Sequence, residues 1–361
     1  MWDDDLSERI VNLRSEAEKT RLAEFLRRQG LSLDEVEYSV AWSDAERIVA
    51  TGSLDGNVLK CIAVDEDYLS GGLSAKILTS LEREAFARGR PHLFLYTKPR
   101  NEEIFSSLGF YRIAGVPDKV VLLENRPDGI EEYLRELARD ARDAFPGAEE
   151  SGSRAGGDEG SAAVVVNCNP FTLGHRYLIE YAAARCETLH VFVLWEDKSS
   201  FPAAVRYRLV REGVRHLGNV VLHRGRDYVI SAATFPAYFL KEPSEAAEIQ
   251  ARLDLEIFTR RIAPALGIKK RFAGEEPYCP VTAVYNAVMG ELLPARGIEL
   301  QVVPRSLAGG RPISASRVRE LIRAGQLSAV EELVPASTYR FLASPEAESI
   351  IRRIQADSKR R

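Results

Sequence analysis

AAVVVNCNPFTLGHRYLIEYAAARCETLHVFVL, residues 162–194, is the stretch whose pattern decides the fold. Ala162–Asn167 and Leu189–Leu194 are almost continuous in apolar residues, as strands buried on both faces of a parallel sheet are. Between them Leu178, Ile179, Ala182, Ala183 and Cys186 recur at helical spacing and make one apolar face. Strand, helix, strand at this spacing is a unit of the doubly wound α/β architecture. Ligands of such sheets bind at the carboxyl ends of the strands, so Asn167–His175 is where chemistry is sought first.

Working outward from it, strands are expected at Val220–His223, Arg271–Ala273 and Leu300–Val303. Helices are expected near Ala203–His216, Glu245–Ala265, Val281–Leu293 and Ser316–Ala324. Upstream, GAEESGSRAGGDEGS (147–161) is rich in Gly, Ser and acidic residues, cannot bury a core, and reads as a flexible linker. The expected organisation is a front domain over 1–146, that linker, an α/β domain over 162–343 and a charged, solvated helix and tail over 344–361.

The front part opens with a charged helical stretch, Ser15–Gln29, followed by strand-like runs at Tyr38–Trp42, Ile48–Ser53 and Val58–Val64. Gly71-Gly72 then feeds a helical pattern from Ala75 to Ala87. A strand at Leu93–Tyr96 leads into TKPRNEEIFSSLGFYRI (Thr97–Ile113). A glycine loop opening a helix exposes backbone N–H groups that suit a pyrophosphate. The same loop also serves as a plain turn between strand and helix.

The 361 residues carry 49 Lys+Arg and 53 Asp+Glu, a formal net charge of -4. With 45% hydrophobic and 28% charged residues, the chain is neither disordered nor a disulfide miniprotein. The acidic balance argues against general nucleic-acid binding. Cys61, Cys168, Cys186 and Cys279 form no closely spaced pair and read as free thiols of a reducing compartment. No apolar run approaches the roughly 18 residues that span a bilayer. The start, Met1-Trp2-Asp3-Asp4-Asp5, is acidic where a signal peptide is basic, so a cytoplasmic protein without a membrane role is expected.

Two segments carry the candidate chemistry. In Thr172-Leu173-Gly174-His175 the histidine opens the helix after the first strand, where its side chain and the helix N-terminus can both face an anion. Gly174 lets backbone approach closely. In Ile313-Ser314-Ala315-Ser316-Arg317-Val318-Arg319 two hydroxyls stand at a helix entrance and Arg319 adds a planar fork of donors one turn in. Helix capping by Ser314 or Ser316 is compatible with that role. Asp197, Lys198 and Arg206 follow the second strand, and Lys198 or Arg206 could meet phosphate. Glu275-Glu276-Pro277 ends a strand at the same edge. His92, His190, His216 and His223 read as structural.

The two segments, in this order, resemble the nucleotidyltransferase superfamily, whose first motif is a His or Thr, any residue, Gly and His. Thr172 stands where many members carry the first of two histidines. The resemblance is closer to the citrate lyase ligase family, through NPFTLGHRYLIEYA (Asn169–Ala182), DYVISAATFPAYFLK (Asp227–Lys241), LDLEIFTRRIAPALGI (Leu253–Ile268) and GEEPYCPVTAVYN (Gly274–Asn286). It spans nearly the whole chain. The front part resembles the acetyltransferase-like (GNAT) fold, although Leu69 stands where that fold usually has Gln or Arg and no general base is evident.

The resemblance implies an α/β protein: a C-terminal Rossmann-like nucleotidyltransferase domain preceded by an α+β acetyltransferase-like one. It implies activation of acetate by ATP and Mg²⁺, with release of AMP and pyrophosphate, and acetyl transfer to the thiol prosthetic group of the acyl-carrier subunit of citrate lyase. His175, Thr172 and Arg319 would be catalytic. Asn169, Pro170, Phe171, Thr172, Gly174, His175, Lys198, Arg206, Glu275, Ser314, Ser316 and Arg319 would bind ATP, and Gly71 and Gly72 a coenzyme-A-like arm. The rival readings are a nucleotidyltransferase making a dinucleotide-type coenzyme and a coenzyme-A-dependent acetyltransferase.

Overall fold

The computed structural model describes residues 6–145, 160–196, 198–230, 235, 245–276 and 280–356. The chain divides into two units, Met1–Ile130 with Phe235–Ile249, and Glu131–Thr234 with Gln250–Arg361. The expected linker lies outside the described residues except for Gly160 and Ser161.

The first unit holds β1 (Leu6–Ile10), α1 (Glu16–Arg28), β2 (Tyr38–Asp44), β3 (Arg47–Asp55) and β4 (Val58–Val64). It continues with α2 (Leu73–Ala87), β5 (Phe94–Thr97), α3 (Glu102–Ser107), β6 (Tyr111–Val116) and β7 (Val120–Glu124). Its seven strands run in the order β1-β2-β3-β4-β5-β7-β6. Only β4 and β5 pair in parallel, through Val58 with Phe94 and Leu59 with Leu95. Gly72 enters the left-handed region (φ +66°) to turn the chain into α2. That helix lies so close to the sheet that a Cβ on Gly52 of β3 would stand 2.4 Å from Ile77. The α+β arrangement expected of the front part is present. β1, a largely polar edge strand, lacks the apolar run that marks the others.

The second unit holds most of α4 (Gly129–Ala144), then β8 (Ser161–Val166), α5 (Leu173–Ala183), β9 (Leu189–Val193), α6 (Ala203–Val214) and β10 (Val220–Arg224). Further on come most of α7 (Ala246–Ile257), a π-helical turn over Phe258–Ile262, α8 (Ala263–Leu266), β11 (Ile268–Gly274), α9 (Pro280–Leu292) and β12 (Glu299–Val303). A two-residue hairpin, β13 (Leu307–Ala308) with β14 (Arg311–Pro312), precedes α10 (Ala315–Arg323), α11 (Ala336–Leu342) and α12 (Glu348–Ala356). The sheet is entirely parallel, in the order β10-β9-β8-β11-β12. Succession reverses between β8 and β11, and such a switch opens a crevice at the carboxyl ends of the strands.

Alternation along the strands sorts the two faces. Ala162, Val164, Val166, Leu189, Val191, Val193 and Phe272 join one apolar core with α5, α6, α10, α11 and α12. The opposite face carries the buried polar side chains His190 and Arg271. The C-terminal helix corrects an expectation: Ala347, Ile350 and Ile354 are buried in this core, so α12 is docked and not solvated. The charges around them hid an apolar stripe at helical spacing. Residues 357–361 lie outside the described set.

Candidate functional site

The segment after β8 runs along the carboxyl edge of the sheet and enters α5 through a reciprocal cap. Thr172 Oγ1 accepts from the His175 backbone N–H at 3.3 Å, and the Thr172 backbone N–H donates to His175 Nδ1 at 3.1 Å. With Nδ1 accepting, the ring proton of neutral His175 sits on Nε2. Burial, assisted by the positive charge of Arg305, lowers the His175 pKa to about 4. His175 is therefore a neutral imidazole near pH 7, and the Nε2–H is a fixed donor. Its ring lies nearly parallel to that of Phe171, with centroids 6.1 Å apart. Phe171 is itself fully buried against Gly213, where a Cβ would stand 2.2 Å from the ring.

The second segment meets the first at this edge. A Cβ on Gly174 would lie 3.0 Å from the Ile313 carbonyl oxygen, so the glycine is what permits the two backbones to touch. Ser314 caps α10 by accepting from the Arg317 N–H at 3.2 Å. Arg319, half-buried, donates from Nη1 to the Asn169 carbonyl at 2.5 Å and from Nη2 to Ser316 Oγ at 3.1 Å. Asn169 is held in turn, its Oδ1 accepting from the Phe201 N–H at 3.0 Å. Thr172, Gly174, His175, Ser314, Ser316 and Arg319 are thus joined at one edge by direct contacts.

Other expected residues stand differently. Arg206 is fully buried, and its guanidinium donates to the carbonyls of Phe201, Asn167, Leu194 and Glu196 and to Asn167 Oδ1. This corrects the expectation that it meets phosphate: it ties the chain leaving β8 to the chain leaving β9, with Glu196 as its counter-charge at 3.6 Å. Phe171 is likewise core. Lys198 and Glu275 are exposed at the edge, while Asp197 lies outside the described residues. Gly71 and Gly72 belong to the first unit, where Gly71 ends a short 3₁₀ turn.

Arg305 is a residue that the sequence pattern did not single out. Two residues beyond β12, it pairs with the Glu276 carboxylate, donates to the Glu275 carbonyl at 2.8 Å, and lies close enough to His175 to help keep that ring neutral. Its signal was a basic residue just past the end of a strand at the ligand-binding edge. No group of three His, Cys, Asp or Glu among the described residues is arranged to hold a metal ion. A Mg²⁺ ion here would instead be held by nucleotide phosphates and water, as this ion commonly is. No described helix is long and apolar enough to cross a membrane.

Comparison with known proteins follows the same division. The family described as the citrate lyase ligase C-terminal domain matches residues 161–342. Over 339 residues the chain is 42% identical to the citrate (pro-3S)-lyase ligase of Klebsiella pneumoniae, covering 92% of this chain and 95% of that protein. The corresponding protein of Escherichia coli K12 is 39% identical over 95% of each chain. That of Haemophilus influenzae is 40% identical, covering 88% of this chain and 93% of that one.

Proposed function

The chain belongs to the citrate lyase ligase family, and from that membership we propose that it activates acetate with ATP and passes the acetyl group to the thiol prosthetic group of the citrate lyase acyl carrier. The observation that supports this reading is the contact of Gly174 with Ile313, which brings the two candidate phosphate-binding segments together at the switch point.

In the first step an acetate oxygen forms a bond to the α-phosphorus and the bond to the β-phosphate oxygen breaks. Charge grows on the α-phosphate oxygens and on the departing pyrophosphate. Preorganised donors are the main instrument for such a step. The His175 Nε2–H, oriented by the Thr172 N–H, would donate to an α-phosphate oxygen. Arg319 and the hydroxyls of Ser314 and Ser316, with the N-terminus of α10, would hold the β- and γ-phosphates. Arg305 and Lys198 would supply further positive charge at this edge. Mg²⁺ arriving on the nucleotide would offset charge on its phosphates. In the second step the carrier thiolate attacks the acetyl carbon and AMP leaves.

The front part would then hold the coenzyme-A-like arm, with Gly71 and Gly72 turning the chain into α2, and would perform no chemistry. All of this fits a protein of the cytoplasm. The test is pyrophosphate release from ATP, measured with acetate and then with the thiol form of the carrier added. The expected result is acetate-dependent release followed by carrier acetylation. Release that requires a phosphorylated pantetheine in place of acetate, or acetyl transfer from acetyl-coenzyme A without ATP, would overturn it.

A further inference from the structure

Resting on the acetate-activating reading, we propose that Arg271 is the residue that grips the carboxylate of the acid substrate. Arg271 stands in β11, beside Ala163 of β8 and Leu300 of β12, and is only 2% exposed. Phe272 next to it joins the core under α5, so Arg271 projects from the opposite face. Its guanidinium carbon lies 4.4 Å from the centre of the Phe258 ring and 5.6 Å from that of Tyr285. Nη2 donates to the Tyr285 hydroxyl at 2.9 Å, and that hydroxyl donates to Asp254 Oδ2. Asp254 is buried and held by the Ile230 N–H, which donates to Oδ1 at 2.7 Å. Nη1 is buried with no hydrogen-bond partner among the described residues.

A buried guanidinium N–H without an acceptor is costly, and a bound ligand is one way a native protein satisfies it. The missing acceptor is anionic or strongly polar, and a carboxylate oxygen meets a guanidinium N–H in a short charge-assisted bond. The described strand neighbours towards the carboxyl ends on this face are small and apolar, which suits a small acid. Ala163 is fully buried beside Arg271, while Val165 and Ala273, one step nearer the carboxyl ends on the same face, are partly exposed. Val302, the β12 partner of Ala273, is 46% exposed. These short apolar side chains stand between the Arg271 position and the carboxyl edge of the sheet.

Chemically, Nη1 would hold one carboxylate oxygen and leave the other free to attack the α-phosphorus. The O–P bond forms, the bond to the departing pyrophosphate breaks, and no proton or further reactant is needed. The gripped oxygen becomes the carbonyl oxygen of the acyl-adenylate and loses most of its charge, so Arg271 would act chiefly on binding of the acid. The full-length protein is tested in two ways: binding of ¹³C-labelled acetate by NMR without ATP, and acetate-dependent ATP–pyrophosphate exchange.

Arg271→Lys should raise the acetate KM by about 10- to 100-fold, the worth of one hydrogen bond to a charged group, with the ATP KM unchanged. Tyr285→Phe, which frees the guanidinium from its tether, should raise the acetate KM alone by a smaller factor. Ala273→Val should penalise propionate more than acetate. Unchanged acetate binding in folded Arg271→Lys, or equal shifts of both KM values in Tyr285→Phe, would overturn the proposal. Acetate binding that is lost in Arg271→Lys while the wild type releases no pyrophosphate would keep the grip and remove the acetate-activating reading.

Discussion

Two helices in this protein begin at a glycine, Gly72 as the cap of α2 and Gly174 in the first turn of α5, and they use glycine for different physical reasons. Gly72 sits in the left-handed region with nothing within 4 Å of where its Cβ would be. Its backbone angle is the requirement, because an L-residue there is disfavoured by roughly 1–2 kcal/mol. Gly174 needs no unusual angle; it needs the absence of a side chain, since the Ile313 carbonyl occupies that side at 3.0 Å. Around Gly174 the hydroxyl of Thr172, the ring of His175 and the capped start of α10 converge. A glycine at a helix start is therefore an ambiguous signal. What separates a turn from a phosphate site is the second segment that the glycine admits.

The sharpest way to break this contrast is to remove the donor beside Gly174. His175→Ala should lower acetate-dependent pyrophosphate release by about 10²–10³, the usual cost of one charge-stabilising donor. Its circular dichroism spectrum should stay native. Pyrophosphate release at the wild-type rate from that folded variant would reduce the second turn to a cap like the first.

Arg319 comes next. Arg319→Lys keeps the charge and loses the fork that spans Asn169 and Ser316, so turnover should fall by about tenfold, the cost of roughly one charge-assisted hydrogen bond. Wild-type kinetics in both Arg319→Lys and Ser316→Ala would leave α10 with a structural role alone.

Exchanging the same substitution between the turns is a finer probe. Gly72→Ala should lower stability by about 1–2 kcal/mol through its backbone angle, slow carrier acetylation, and leave pyrophosphate release intact. Gly174→Ala should push Ile313 away by a few tenths of an ångström and slow pyrophosphate release several-fold, with a smaller loss in thermal unfolding temperature. If the two variants swapped these signatures, the assignment of chemistry to the second unit would be reversed.

The smallest effect is on pH. His175, at about 4, and His190, lowered to about 3 by burial and by the neighbouring His223, are both kept neutral in the folded protein. The unfolded chain binds their protons below about 6.5, so stability is fully present above that pH and declines as pH falls towards these lower values. Thermal unfolding from pH 7 to 5 should show this slope, flattened in His190→Gln. The kcat profile should carry no ionisation near 6.5 that belongs to His175. Finding one that vanishes in His175→Ala would mean the imidazole works as a cation.

Much of the second unit could be read directly from the chain. The strands β8 and β9 and the helix between them stand where unbroken apolar runs and a helical stripe put them, because burial on both faces of a parallel sheet leaves little choice of residue. Val58–Val64 of the first unit is also matched residue for residue. β1 was not, since LSERI at a sheet edge has hydrogen bonds to make and almost nothing to bury. The C-terminal helix was misjudged because its two buried residues, Ile350 and Ile354, are diluted among charges.

At the site, local sequence determined the caps: Thr172 and Ser314 each precede a helix and accept from the third residue on, which the chain decides within four residues. The use of each arginine was decided only in three dimensions. Arg206, Arg271, Arg305 and Arg319 look alike in sequence. One ties two strand ends together through backbone carbonyls, one lies buried with an unpaired nitrogen, one pairs with Glu276 beside His175, and one bridges Asn169 and Ser316. A long side chain with five donors takes its role from whichever acceptors the rest of the fold brings within reach, and those acceptors come from residues distant in the chain.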